Sequence, residues 1–338
     1  MGGYRLFLAL IVVFAHLAGV QNIGGYAVFG FYMISGYLMT LVMQRVYKYN
    51  LQGFWRYSFN RFLRIYPSYL ISICISLVLL YWLGSDFFTT YRRTIAIPEG
   101  SAAWLRNIFI FFPELESPRL TPPSWALTVE IFFYLVIGLS LSRNRRVTLI
   151  WFSASALYHV AALIFGSGYE DRYFPIWAAS LPFSTGALVY HFRDEIRQVS
   201  SGMPFLASPV AIVLLAVIFF ANWWLGREFG FSGDFAFYVN YFLCLLALIG
   251  FVVLWSGRDS AIDGFLGSLS YPVYLLHYQI GAIVIFLFDM GGLELRRGQF
   301  LLFVLSVPFV LLAAYLMVVI VERPVERIRL EVKSVLIK

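Results

Sequence analysis

Polar and apolar positions alternate along this chain on the scale of whole segments rather than single turns. Apolar blocks of about 17–25 residues, enough to cross a hydrocarbon core, are separated by short polar connectors. The pattern predicts about ten helices, near 4–21, 25–44, 66–84, 122–141, 147–166, 174–191, 206–225, 235–256, 265–288 and 300–321. The longest connector, roughly 85–121, holds an apolar run from Ala102 to Phe112. That run is too short to span, so it is expected on the surface or dipping among the helices. No soluble segment, low-complexity linker or internal repeat interrupts the series. The expected architecture is all-α: one polytopic transmembrane bundle over 1–338, with no soluble extracytoplasmic domain.

Composition agrees. Hydrophobic residues make up 61% of the chain and charged residues 13%, where a soluble domain carries about 25% charged. Many Trp and Tyr lie near block ends, as an interfacial belt requires. The formal charge of +7 does not point to nucleic acid, because the basic residues sit in connectors, where they orient a membrane protein. With the N-terminus cytoplasmic, 17 of the 25 Lys and Arg fall inside, among them Arg258 and Lys338. Eight fall outside: Arg92, Arg93, Arg106, Arg119, Arg172, Arg227, Arg296 and Arg297. Both termini are therefore expected in the cytoplasm, in a multi-pass protein of a bacterial inner (plasma) membrane. The first block contains His16 and lacks a small-residue cleavage site, so it reads as a retained helix rather than a signal peptide. Cys74 and Cys244 lie inside apolar blocks without metal-like spacing, which predicts two reduced thiols and no metal site.

Against this background the ionisable groups at membrane depth are the candidates for chemistry, because each is costly there. They are Arg5, His16, Glu130, His159 and His277, with Glu322 at an inner boundary. Arg5 and His16 are eleven residues apart, nearly a whole number of turns, so they share one helix face about 16 Å apart. Glu130 enters from the outer side and should lie about 10 Å below that surface. His277 lies near or beyond the midplane of its own helix. His16, Glu130 and His277 could thus meet in one layer, as a base, a carboxylate partner and a second imidazole. Ser270, Tyr274 and His277 share one face at i, i+4, i+7 spacing, facing either a pocket or a packed neighbour. A membrane histidine can also do no more than hydrogen-bond the next helix. That is the reading for His159, which has no motif around it.

At these residues the sequence resembles the membrane-bound acyltransferase 3 family, over nearly the whole chain. Arg5 and His16, within YRLFLALIVVFAH, look like its first-helix signature. Phe31-Tyr-Met-Ile-Ser-Gly-Tyr37, with Ser35 and Gly36, is similar to its second-helix element. Arg61-Phe-Leu-Arg-Ile-Tyr-Pro67 resembles its basic RxxRIxP segment, and Pro123-Ser-Trp-Ala-Leu-Thr-Val-Glu130, with Trp125, its W-S-L-x-x-E element. The stretch Leu266–His277 is similar to its late GxxSYxxYLxH motif, and Glu322-Arg-Pro324 to its closing ExP. Each motif alone is weak; six in order are a strong signal. The chain departs from the pattern in two places. Gly3 and Tyr4 precede Arg5 where an acidic residue is common, and Ala126 replaces a serine.

The resemblance implies O-acylation, usually acetylation, of a glycan or lipid-linked sugar. The donor would be an acyl-CoA (acetyl-CoA in the usual case), with no permanently bound cofactor. Arg5, Arg61 and Arg64 fall on the inner side, where they could meet the donor's phosphates or serve only the positive-inside bias. The expected catalytic set is His16 as base or transiently acylated nucleophile, Glu130 as its orienting carboxylate, and Arg5. Ser270, Tyr274 or His277 would stabilise the oxyanion or hold the acceptor. A proton-coupled transporter is the alternative reading of the same buried groups. A non-catalytic membrane scaffold would tolerate loss of Arg5, His16 and Glu130 together.

Overall fold

A computed structural model of the chain describes all residues except 113–116, 167, 201, 204, 206–207, 230–232, 255–259 and 335–338. Arg258 and Lys338, counted above for orientation, lie outside the described residues. The described residues form fifteen α-helices: α1 (Gly2–Leu17), α2 (Ile23–Val42), α3 (Leu51–Leu83), α4 (Ser85–Arg92), α5 (Gly100–Phe109), α6 (Ser124–Val136), α7 (Arg145–Ile164), α8 (Tyr169–Tyr173), α9 (Ser180–His191), α10 (Arg193–Ser200), α11 (Pro209–Glu228), α12 (Gly233–Leu254), α13 (Ala261–Met290), α14 (Phe300–Met317) and α15 (Arg323–Ser334). No strand occurs among them. Among the described residues seven helical stretches are long and apolar enough to cross a membrane, and Gly2–Leu17 and Phe235–Phe251 are shorter apolar helices. The protein is a polytopic helical membrane protein, as the apolar blocks predict.

Several boundaries differ from the expected spans, and some have a visible local reason. The helix expected from 66 begins at Leu51, because the basic stretch before Pro67 is itself helix-forming and nothing breaks it. The helix expected over 4–21 stops at Leu17. There Gly19 takes a left-handed φ of 69°, and the Val20 amide donates to the Ala15 carbonyl at 3.0 Å, a glycine-terminated helix end. The run from Ala102 falls in α5, which ends where Ile110 turns left-handed at φ 54°.

Contacts divide the chain into two compact units. The first comprises Gly25–Tyr57 and Phe132–Ala261, with Met1. Within it α2 and α9 meet backbone to backbone: a Cβ on Gly36 would lie 2.1 Å from the Phe183 carbonyl oxygen, and one on Gly186 1.9 Å from that of Met33. Small residues that let helices touch are the usual adhesive in lipid, which gives Gly36 a packing role. Ser35 lies one residue away, its Oγ 3.4 Å from the Tyr134 hydroxyl. His159 in α7 is held at both ring nitrogens, by the Tyr238 hydroxyl and the Ala178 carbonyl, each at 2.9 Å. It is a packing histidine, as read from the sequence.

The second unit comprises Gly2–Gly24, Ser58–Ile131 and Ile262–Lys338, and it contains the candidate chemistry. Here α1 lies along α13. At one end Gly2 leaves no room for a side chain, since a Cβ would stand 1.7 Å from the Asp263 carbonyl oxygen. The Asp263 carboxylate accepts from the Gly2 and Gly3 amides at 2.9 Å each, satisfying two otherwise unpaired helix-end donors. The acidic group missing from the sequence beside Arg5 is thus present at that end of α1, contributed by α13. At the other end His16 meets His277. Gly2 to His16 and Asp263 to His277 are both fourteen residues, so two parallel helices of equal rise bring both pairs into register.

Candidate active site

His16 occupies the last turn of α1, and the connector before α14 closes over it. The Gly298 amide donates to the Leu17 carbonyl at 2.9 Å, and a Cβ on Gly19 would stand 2.7 Å from the Gly298 Cα. Phe14 packs against Phe303 of α14 with ring centroids 5.1 Å apart. A cavity of about 270 Å3 remains beside this junction, lined by His16, Gln21, Arg92, Tyr278 and Arg297 with small residues of both turns. Tyr278 forms one wall, its ring stacked 5.0 Å from that of His16. The Tyr91 hydroxyl fixes α4 to α13 by donating to the Tyr278 carbonyl at 2.8 Å.

The protonation pattern follows from donor and acceptor chemistry. His277 is fully buried, and its Nδ1 lies 2.8 Å from the Tyr274 carbonyl oxygen. A carbonyl can only accept, so that Nδ1 carries a proton. His277 Nε2 lies 2.8 Å from His16 Nδ1. With both imidazoles neutral, His277 Nε2 accepts and His16 Nδ1 donates. The tautomer of His16 is thereby set, and its Nε2 is left as the basic nitrogen. His277 and one backbone carbonyl can do for His16 what a carboxylate does in many base–orienter pairs.

That arrangement reassigns several residues. The partner of the His16 imidazole is His277, where Glu130 was the expectation. Glu130, half-buried on α6, instead acts electrostatically on Tyr271 and Tyr274. Depth along a helix does not specify which neighbour a side chain faces. Ser270 and Tyr274, expected to hold acceptor or oxyanion, spend their protons elsewhere. The Ser270 hydroxyl donates to the Gly267 carbonyl at 2.8 Å and the Tyr274 hydroxyl to the Pro123 carbonyl at 2.8 Å. Neither they nor His277 line the cavity. Trp125 lies in the first turn of α6, half-buried, just after Pro123.

The basic residues expected to bind the donor also divide. Arg64 is committed to Glu322 at 2.6 Å, and the Ser68 hydroxyl adds a hydrogen bond to the same carboxylate at 3.3 Å. Glu322 of the closing motif therefore neutralises the basic segment. Arg61 donates to the Asn60 side-chain oxygen at 2.8 Å, where Arg329 also donates at 3.2 Å. Arg5 is half-buried on α1. Removing one partner of a mostly buried pair strands the other charge. Glu322→Gln is expected to destabilise the protein by about 3 kcal/mol, and the Arg64→Met/Glu322→Leu double variant by less. Thermal unfolding in detergent measures both; a double variant worse than the single would contradict the pairing.

Arg92, Arg297 and Tyr278 were not singled out from the sequence. The available signal was their sign and place: the two arginines are among the few basic residues on the side expected to be outside, where positive charge is disfavoured.

A base held by a fixed tautomer in a cavity suits group transfer, and the family comparison agrees with it. The description of an acyltransferase domain matches residues 2–319. The chain belongs to the acyltransferase 3 family. It is similar to the acyltransferase MdmB of Streptomyces mycarofaciens, 26% identical over 204 residues, which cover 53% of this chain and about half, 48%, of that relative. It is also similar to an O-acetyl transferase of Shigella phage Sf6, 23% identical over 312 residues covering 85% of this chain and 86% of that one. No solved structure matches. Membership in this family sets the transporter reading aside.

Proposed function

We propose that this acyltransferase moves an acyl group, acetyl in the simplest case, from acyl-CoA to a hydroxyl of a cell-surface or lipid-linked saccharide. The observation that carries the reading is the His277–His16 hydrogen bond, which leaves His16 Nε2 basic beside a cavity. His16 Nε2 takes the proton of the acceptor hydroxyl as its oxygen attacks the thioester carbonyl. The tetrahedral intermediate then collapses, the carbon–sulfur bond breaks, and the imidazolium returns the proton to the departing thiolate. Transfer therefore yields the ester and free CoA. His277 holds the imidazole in orientation throughout and accepts from its Nδ1–H.

The donor end is assigned to Arg5 and Arg61, with Arg64 neutralised by Glu322. Arg5 is eleven residues before His16 on one helix face, so an extended pantetheine arm could run along α1 from the one to the other. Both termini are placed in the cytoplasm of a bacterial cell, on the side where acyl-CoA is made, with the protein in the inner membrane.

Purified protein in nanodiscs, given radiolabelled acetyl-CoA and membrane saccharide extracts, should release CoA and label a saccharide in equal amounts. Proton-coupled solute uptake into proteoliposomes without any acyl transfer would overturn the reading.

A further inference from the structure

Two arginines stand at the His16 cavity, and no carboxylate among the described residues lines it. Both converge on the ring that stacks against His16. The Arg92 guanidinium carbon lies 5.7 Å from the centroid of Tyr278, and the Arg297 charge acts electrostatically on the Tyr278 hydroxyl. Arg92 ends α4 and is half-buried. Its Nε is shielded from solvent without a hydrogen-bond partner among the described residues. Arg297 is exposed, and the nearby Glu294 pairs with Arg296 at 3.5 Å. Two like charges at one cavity form a site that an anion would complete. Guanidinium forks match the paired oxygens of a carboxylate or phosphate.

We infer that this cavity selects an acceptor carrying an anionic group, a carboxylate or a phosphate, close to the hydroxyl that is acylated. The inference rests on the acyl-transfer reading and narrows its substrate class. The donor does not account for the same cations. In acyl-CoA the whole pantetheine arm separates the thioester from the phosphates, so with the thioester at His16 those phosphates lie far from Arg92 and Arg297. The anion therefore belongs to the acceptor, an acidic sugar or a sugar phosphate. In that geometry the arginines orient the acceptor and His16 removes its proton.

The test needs no turnover. Diethyl pyrocarbonate modifies a free imidazole nitrogen, and mass spectrometry of the His16 peptide gives the rate at that residue. Without donor and at constant ionic strength, glucuronate or glucose 1-phosphate should slow His16 modification saturably. The slowing should reach about fivefold at four times the half-saturating concentration, as 1 + [L]/Kd requires, while glucose should have little effect. Protection by glucuronate alone assigns a carboxylate and by glucose 1-phosphate alone a phosphate; both results support the site. The Arg92→Gln/Arg297→Gln variant should lose the protection, and Arg92→Lys/Arg297→Lys should keep part of it. Equal protection by glucose, or no protection by either anion in the wild-type protein, would overturn the inference. So would full anion protection in the Gln variant. Anion protection in a protein that transfers no acyl group would leave this site standing and remove the proposed reaction; transfer to a neutral sugar without anion protection would do the reverse.

Discussion

Replacing His16 by alanine is expected to lower the turnover of acyl transfer by about 100- to 10,000-fold, the range for a positioned general base, while the protein still folds and inserts. His16 is half-buried at the edge of a cavity, so its loss opens space toward that cavity rather than a sealed void. His16→Gln is the sharper variant. Its amide can still donate to His277 Nε2, but it offers no nitrogen able to take a proton. If the imidazole acts as base, His16→Gln fails as completely as His16→Ala, with KM for acyl-CoA little changed. CoA release followed at several donor concentrations separates the two parameters. Near-normal turnover in His16→Gln would mean that the residue only positions its neighbours.

Replacing His277 by leucine is the second large effect, and its signature differs. His277 is sealed from solvent and does not line the cavity, so it acts through His16. Its loss frees the His16 ring to rotate and to exchange tautomers, and the neutral population that carries its proton on Nε2 then lacks the basic nitrogen there. The expected drop in turnover is about 10- to 100-fold, smaller than for the base itself because the lost partner is a neutral acceptor rather than a carboxylate. The Tyr274 carbonyl and the His16 Nδ1–H both lose a partner, costing about 1–3 kcal/mol of stability. His277→Gln can return an oxygen near the position of Nε2, so it should recover much of the turnover. A purely structural role would track stability alone. Turnover that follows the presence of an acceptor, and not the unfolding temperature, marks a positioning residue.

Much of this architecture is legible in the sequence because the bilayer imposes its length scale on the chain. Helices α2, α6, α7 and α14 lie close to the apolar blocks that predict them. Those apolar blocks say less about connectors, so α3 starts earlier than expected through a basic stretch, and a glycine turn ends α1 early. The ordered motifs point to His16 as the proposed base, and the depth argument expects His16 and His277 in one layer, where the structure joins them. It could not choose between Glu130 and His277 as partner, because that depends on how helices are rotated and which ones touch. The register of α1 on α13 is visible in retrospect: fourteen residues separate the members of both helices' contact pairs, but nothing in the sequence says that these helices are neighbours. Arg92 and Arg297 were counted only as outer-side charges. Their convergence on Tyr278 brings together two connectors more than half the length of the chain apart.

The most direct test of the central claim reads the tautomer of His16 itself. Protein labelled with 15N-histidine, in nanodiscs near neutral pH, gives side-chain nitrogen resonances whose positions separate protonated from unprotonated ring nitrogens. The His16 pair is identified by its disappearance in His16→Gln. The relay from the Tyr274 carbonyl through His277 predicts a protonated Nδ1 and an unprotonated Nε2 at His16, with Nδ1 protonated at His277 as well. A His16 whose proton resides on Nε2 would have no basic nitrogen facing the acceptor, and would contradict the account.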